Sequence, residues 1–407
     1  MPIKKVYLDN AATTPMDPEV LKAMMPFLKD NFGNASSLHY AGIEANRAVN
    51  DVQEKIGRFL GCLPEEVYFT SGATESDNMA VLGLTEAILR AKSGFKAHIV
   101  VSAMEHDAIL EPAQQLQKEG VEVTYLKPNE KGLIEIEKLR AVIKDNTVLV
   151  SIMYVNNEIG TIQPIVEIGK LIKELNEKRA SSAKASAGLG KIYFHTDATQ
   201  ATAYCDMNVG KLGVDMLSLS AHKIYGPKGV GVFFLKQGTP FRPLIWGGHQ
   251  QNGIRSGTYN VAGIVGLGKA IELIAEKNKI KQENKKIKEL RDYLIKGIKK
   301  NIKRISINGD LTKRVPSNVS IIFEGVEGES VLLMLSQKGI AVSTGSACSS
   351  GSLEPSHVLK SIGVKPELAH GSIRFSLGRF STKSDIDFLL RELPPIIKRL
   401  RAMSPLK

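Results

Sequence analysis

In the segment Ser218–Gly231 (SLSAHKIYGPKGVG) an apolar run ends in a polar turn that holds Ser220, His222 and Lys223 before glycines reopen the chain. Most lysines are solvated surface charges. A lysine at a strand end, beside a hydroxyl and an imidazole, differs: desolvation there depresses the ammonium pKa and frees the amine for a Schiff base with an aldehyde. If that aldehyde belongs to a cofactor that also bears a phosphate, the chain must supply an anion cradle. The run VYFT leads into Ser71–Asn78 (SGATESDN), where Ala73 and Thr74 open a helix. The free backbone N–H groups and positive dipole end of such a helix suit a phosphate, and the Thr74 hydroxyl adds a donor. The competing structural reading is a capping box formed by Thr74 and Asp77.

The segment FHTDATQ places Asp197 and Gln200 after another apolar run. A carboxylate at Asp197 can hold a pyridine nitrogen protonated, so that the ring accepts electrons from a carbanion, and the Gln200 amide can hydrogen-bond a phenolate oxygen of that ring. A helix cap by Asp197 is the plainer alternative. His106 in AMEHDAIL and Asn157 in YVNNEIG follow two further runs, and a flat imidazole could stack on a planar ring. Cys348 lies in STGSACSSGSLEPSHVL, among small and polar residues between the strand-like IAVS and a helix starting near Glu354. A Gly/Ser loop offers no core to bury a thiol, whereas Cys62 and Cys205 read as small buried apolar residues.

These groups need a scaffold. From Glu66 to Leu235 short β-branched runs alternate with amphipathic stretches: VYFT (67–70), HIVVS (98–102), VEVTYL (121–126), TVLVSIMY (147–154), KIYFHTD (191–197), VDMLSLS (214–220) and GVGVFFL (229–235). That alternation predicts a mainly parallel sheet covered by helices on both faces, with ligands off the carboxyl ends of its strands. After about Asn260 a long helical stretch, strands near Arg304–Ile307 and Asn318–Phe323, and a closing helix over Ser384–Met403 suggest a smaller α/β domain. A chain of 407 residues with 43% apolar and 24% charged side chains fits two such domains.

Much of the net charge of +12 sits between Lys277 and Arg304, where apolar residues recur at helical spacing, so a solvated lysine face is expected there. The three cysteines lie far apart and form neither a disulfide framework nor a metal-ligand spacing. There is no long apolar run and no signal-peptide pattern at the amino terminus, so a cytoplasmic location is expected. The run ASSAKASAGLG (180–190) has the composition of a flexible surface loop and receives no function.

Together with YLDNAATTP (Tyr7–Pro15), GNASSLH around Asn34, RSGT (Arg255–Thr258) and SIRFSLGRF, these segments resemble the cysteine desulfurases of the NifS/IscS group over nearly the whole chain. The resemblance implies an α/β fold of the fold-type I PLP-dependent transferases, a large domain with a mainly parallel central sheet flanked by helices, and a smaller α/β domain. It implies the boundaries 15–261 for the large domain and 1–14 with 262–407 for the small one, which carries a catalytic-cysteine loop at about 343–354. It implies pyridoxal 5'-phosphate (PLP) as cofactor and a homodimer.

Carried over by the same resemblance, Lys223 is the Schiff-base lysine, Asp197 the pyridine-nitrogen partner, and His106 the stacking histidine that could also move a thiol proton. Asn157 and Gln200 lie near the phenolate side. Thr74, the Ala73 backbone, Ser220 and His222 contact the phosphate, and Thr258 reaches the phosphate of the other subunit. Arg374 takes the substrate carboxylate, a structural salt bridge being the plainer reading, and Asn34 also lies on the substrate side. Arg379 has no clear role. The implied reaction removes sulfur from L-cysteine, leaving L-alanine and a persulfide on Cys348. An acceptor, such as an iron-sulfur scaffold, then takes that sulfur. The Cys348 segment resembles the long loop of the first desulfurase group, which implies a thiol that travels between substrate and acceptor.

Three departures from the family pattern touch no cofactor-bonding group: Asp107 after His106, GNAS in place of GNPS or GNPA, and the 180–190 run. Other readings are a selenocysteine lyase or another fold-type I lyase, which need not use a protein thiol, and a basic nucleic-acid-binding module suggested only by charge. A nucleotide hydrolase reading of GIVGLGKA (263–270) fails because Ala270 stands where a P-loop has its metal-binding hydroxyl.

Overall fold

The computed structural model describes residues 4–92, 94–181, 190–345 and 355–404. Its strands are β1 (Val6–Tyr7), β2 (Val67–Thr70), β3 (His98–Ser102), β4 (Glu122–Leu126), β5 (Thr147–Ser151), β6 (Tyr193–Asp197), β7 (Met216–Ser220), β8 (Gly231–Leu235), β9 (Ile305–Ile307), β10 (Asn318–Phe323), β11 (Ile340–Ala341) and β12 (Ser372–Ser376). Seven of them form one sheet in the order β2-β8-β7-β6-β5-β3-β4, parallel throughout except that β8 runs against both neighbours. Every residue of β3, β5, β7 and β8 is buried, as expected for strands covered on both faces.

One face of this sheet packs against the helices Tyr40–Leu60, Ile165–Ser181 and Val261–Ala275, the other against Leu84–Ala91 and Asp107–Lys118. A separate apolar cluster joins β10 and β12 to the helices Lys277–Asn301, Gly328–Gln337 and Lys383–Met403. The helix Val261–Ala275 contains GIVGLGKA, and its glycines serve helix packing. A Cβ at Gly268 would stand 2.6 Å from Val52 Cγ2, and one at Gly266 would stand 2.6 Å from Met24 Sδ. The lysines of Lys277–Asn301 face solvent while Ile287, Leu290, Leu294 and Ile298 are buried, so the basic run is the solvated face of an amphipathic helix.

The TVLVSIMY run leaves the sheet after Ser151. Ile152, Met153 and Tyr154 remain buried but bend beneath the neighbouring strand end, where Ile152 N donates to the His195 carbonyl and Tyr154 N to that of Asp197. The amino-terminal segment crosses the molecule. Leu8 N donates to Ala341 O at 2.9 Å, Ser376 N to Leu8 O at 2.7 Å and Thr14 N to His222 O at 2.9 Å. It thereby ties β11 and β12 to the turn that carries Lys223. Among the described residues no helix is long and apolar enough to cross a membrane.

Candidate active site

A cavity of about 980 Å³ opens at the carboxyl ends of β2, β3, β5, β6 and β7. Each of these ends delivers one polar segment: Ser71–Thr74 from β2, Glu105 and His106 from β3, Asn157 and Glu158 from β5, Asp197–Gln200 from β6, and Ser220–Lys223 from β7. Arg374 on β12 and the stretch Pro355–His357 close the far side. Of the residues singled out in sequence, Ala73, Thr74, His106, Asn157, Asp197, Gln200, Ser220, His222, Lys223 and Arg374 all line this one space. Asn34 and Thr258 do not: both are exposed, and Asn34 Oδ1 accepts from Ser36 N within its own turn. Cys348 and most of the 180–190 run lie outside the described residues.

At one end the helix Ala73–Asn78 begins, and it continues through a π-helical turn, Met79–Gly83, into Leu84–Ala91. The capping box is not formed: Gly72 holds the cap position, Thr74 is inside the first turn, and Asp77 is buried against the sheet. Glu75 instead accepts from Ser71 N at 2.7 Å and pairs with Arg255 at 2.8 Å, which pins the loop and leaves the first-turn N–H groups toward the cavity. Ser220 and His222 stand nearby in the cavity wall. Burial, with Lys223 and Lys228 adding, pushes the His222 imidazole down to about 4, and its Nδ1 lies 3.2 Å from Thr13 Oγ1.

Lys223 ends a short turn after β7, and its ammonium donates to the carbonyls of Ala11 at 2.6 Å and Ala12 at 2.7 Å. Gln200 Nε2 also donates to Ala11 O, at 2.9 Å. Asp197, at the end of β6, accepts from Thr199 N at 2.8 Å, so it caps its own turn while lining the cavity. His106 Nδ1 accepts from Ala108 N at 3.1 Å, and a backbone N–H can only donate. The neutral imidazole therefore carries its proton on Nε2.

Sequence reasoning gave no role to Asp9, Ala11, Ala12, Glu105, Glu158 or Thr199, and gave Asp77 only a helix cap. Glu105 and Glu158 are 0% and 4% exposed, and burial pushes both carboxyls up, Glu158 to about 7. The available signal was an acid among other polar residues just after an apolar run, Glu105 in AMEHDAI and Glu158 in VNNEIG. Arg374 does form the structural salt bridge, with Asp9 at 3.0 Å, yet it also lines the cavity. Arg379 acquires a role: it pairs with Asp17 at 2.6 Å and Glu283 at 2.9 Å and stacks 4.3 Å from the Tyr225 ring centroid. Cys62 and Cys205 are half-buried against the main core rather than fully enclosed, and burial pushes both thiols up to about 12.

The cavity fits a phosphate-bearing, planar aldehyde. Four of the nine buried side-chain polar atoms without a hydrogen-bond partner among the described residues belong to its lining, in Asp77, Glu105, Thr199 and Arg374. Such atoms are costly unless something else satisfies them. Helix N–H groups, a lysine and a carboxylate meet there from separate strand ends.

Residues 6–389 match the aminotransferase class-V family. The chain is 49% identical over 405 residues to the cysteine desulfurase IscS of Dictyoglomus turgidum, covering 99% of this chain and 97% of that one. The chain belongs to the cysteine desulfurases of the class-V aminotransferase family. Cysteine desulfurase IscS of Methanosarcina thermophila is 47% identical over 403 residues, covering 99% of this chain and 94% of that one. Among solved structures, a NifS-like protein superposes with a TM-score of 0.87 at 36% identity, over 98% of this chain and all of the other. SspA, solved in complex with cysteine, superposes with a TM-score of 0.77 at 34% identity, over 93% of this chain and all of that one. Enzymes of this family are PLP-dependent, and the fold is theirs.

Proposed function

We infer that this chain is a PLP-dependent cysteine desulfurase: L-cysteine and a protein thiol give L-alanine and a protein persulfide. The observation that carries this is the convergence of Lys223, Asp197 and the Ala73–Thr74 helix start on one cavity. PLP there supplies an electrophilic aldehyde and an electron-accepting ring. Lys223 is the covalent anchor and the base for the substrate Cα proton, and the Ala11 and Ala12 carbonyls hold its Nζ at the cavity wall. Asp197 faces the ring nitrogen, Gln200 and Asn157 the phenolate side, and Thr74, Ser220, His222 and the Ala73 backbone the phosphate. Arg374 takes the substrate carboxylate. His106 stacks on the ring and donates through Nε2, the nitrogen that its helix-capping bond leaves protonated. The Cys348 thiolate attacks the substrate sulfur. The sulfur–sulfur bond forms as the carbon–sulfur bond breaks, the carbon keeps the electron pair, and protonation gives alanine.

The working unit we propose is a homodimer in which Thr258 completes the partner's phosphate site. In support, Thr258 is exposed near the Glu75–Arg255 bridge that pins the cradle loop, and Phe32, Leu38, Tyr40 and Trp246 are 71–94% exposed, as suits a surface covered by a second copy. Any contact of Asn34 with substrate also requires that copy. In the two-domain reading, with 15–261 as the large domain, the packing of the helix Val261–Ala275 on the main core supports carrying that domain through the helix, the remainder with the amino terminus being the small domain. Unpaired Cys62 and Cys205 suit the reducing cytoplasm, and the acceptor is an iron-sulfur scaffold or another sulfur carrier.

The test is to incubate the yellow holoenzyme with L-cysteine and follow alanine release and protein mass. One added sulfur on Cys348, removable by reductant and missing from Cys348→Ser, is expected. Wild-type turnover by Cys348→Ser would move the reading to a lyase that needs no protein thiol.

A further inference from the structure

Under the cavity lies a buried polar strip that the reaction above does not use. Ser151 on β5, His195 on β6 and Ser218 on β7 stand side by side on adjacent strands. His195 Nδ1 lies 2.9 Å from Ser151 Oγ, and its Nε2 lies 3.0 Å from Ser218 Oγ. Asp77 descends onto this strip from the helix whose first turn forms the cradle, its Oδ1 3.7 Å from His195 Nε2. Ser151, His195 and Ser218 are 0% exposed and Asp77 is 1%. His195 and Asp197 are two apart on β6 and so point to the same face, and Ser218 is the register partner of Asp197.

Asp77 has only part of what normally keeps a buried carboxylate charged: the Ser218 hydroxyl draws its pKa down, but burial outweighs that. Among the described residues its Oδ1 has no hydrogen-bond partner, and its close ionisable neighbours are His195, Asp197 and Glu105. Burial pushes His195 down to about 3, which leaves the imidazole uncharged. Burial first, and then the charge of Asp197, push Asp77 well above the usual carboxylate range. Glu105, whose Oε2 is also unpartnered among the described residues, is pushed up by burial and again by Asp197. Three carboxyl groups crowded in so dry a place cannot all ionise, because an uncompensated buried charge costs several kcal/mol.

We propose that Asp77 is a positioning residue for Asp197: a fully buried side chain that, with His195 and Ser218, backs the cavity floor on which Asp197 stands. A charged carboxylate at Asp77 would set a second negative charge behind Asp197 in a dry site and compete with it for the same cation. A neutral acid removes that competition, and the His195–Ser218 chain fixes the side-chain geometry behind it. Asp77 also joins the two ends of the site, since the helix that presents Ala73 and Thr74 carries it one turn later.

The inference rests on Asp197 facing the cofactor's ring nitrogen, and the test separates the two ideas. Apoproteins of the wild type, Asp77→Ala, Asp77→Asn and Asp197→Asn are titrated with PLP, reading the visible absorption band and the dissociation constant by dialysis. Asp77→Ala should displace the band and weaken PLP binding about tenfold, the scale of one lost buried hydrogen-bonding group. Asp77→Asn, a neutral isostere, should restore both to within about threefold, the scale of a small residual loss. Damage by Asp77→Asn equal to that of Asp77→Ala would show that a charge was needed and overturn the proposal, as would a wild-type band and affinity in Asp77→Ala. Should Asp77→Ala fail to fold, Asp77→Asn alone decides: a wild-type band and affinity support the proposal, and their loss overturns it. A wild-type band in Asp197→Asn would instead sink the reading of Asp197.

Discussion

Arg374 donates from Nη2 to Asp9 Oδ1 at 3.0 Å and from Nη1 to the Asn157 carbonyl at 3.0 Å, while its buried Nε has no partner among the described residues. The guanidinium is thus held in place with donor capacity still unused, which suits a group that must take a carboxylate in a fixed orientation. Asp9→Ala should loosen that orientation and raise KM for L-cysteine roughly tenfold with a smaller change in kcat, and Arg374→Ala should raise KM by about a hundredfold or more, the scale of a lost charge-assisted pair. Steady-state alanine release measures both. An unchanged KM in Arg374→Ala would remove this residue from the substrate site.

Glu158 accepts from Ser356 Oγ at 2.6 Å, and a Cβ at Gly345 would come within 2.5 Å of its Oε2. The folded group holds its proton up to about 7, against an ordinary value of 4.5. The folded state therefore binds more protons than the unfolded one between these limits, and stability falls as pH rises through that window, by roughly 3 kcal/mol at most. Glu158→Gln should flatten the fall. Urea midpoints at pH 5 and pH 8 test it, and an equal fall in the variant would clear Glu158 of responsibility.

Borohydride reduction of the holoenzyme should fix the cofactor to the peptide containing Lys223, and Lys223→Ala should retain no covalent label. Its turnover should drop by several powers of ten, because the anchor and the proton-transferring base are one side chain. Label on any other lysine would reassign the anchor.

The double change Cys62→Ala with Cys205→Ala should keep most desulfurase activity, since thiols pushed up to about 12 supply almost no thiolate at neutral pH. Alanine release within about threefold of wild type is the expected reading, the scale left when no reacting group is removed. A loss near that of Cys348→Ser would mean that a second thiol takes part.

The sheet and the residues at its strand ends were legible in sequence because β-branched runs punctuated by polar turns have few alternative folds. The exit of Ile152–Tyr154 from β5 was not legible: those residues are as apolar as the strand, and only their pairing with the neighbouring strand end turns them aside. Lys223, Asp197 and His106 stood out by residue type. Asp77 was instead read as one half of a capping box, a motif it fits in spacing, whereas the fold spends it on the sheet. Asp9, Ala11 and Ala12 lay within YLDNAATTP but carried no individual role, for a different reason. Two of the three act through backbone carbonyls, which no side chain announces.

The crossing of the amino-terminal segment also sets an order of events during synthesis. Ala11 and Ala12, which hold Lys223, are themselves held by Ser376, through its Oγ bond to Ala11 N at 2.9 Å and the adjoining bonds of Leu8 and Asn10 to its backbone. Residues 8–12 are made long before β12, so the lysine's carbonyl rest waits on a strand that follows the whole seven-stranded sheet in the chain. A nascent chain can build the seven-stranded sheet first, but Lys223 is braced only once β12 has followed it.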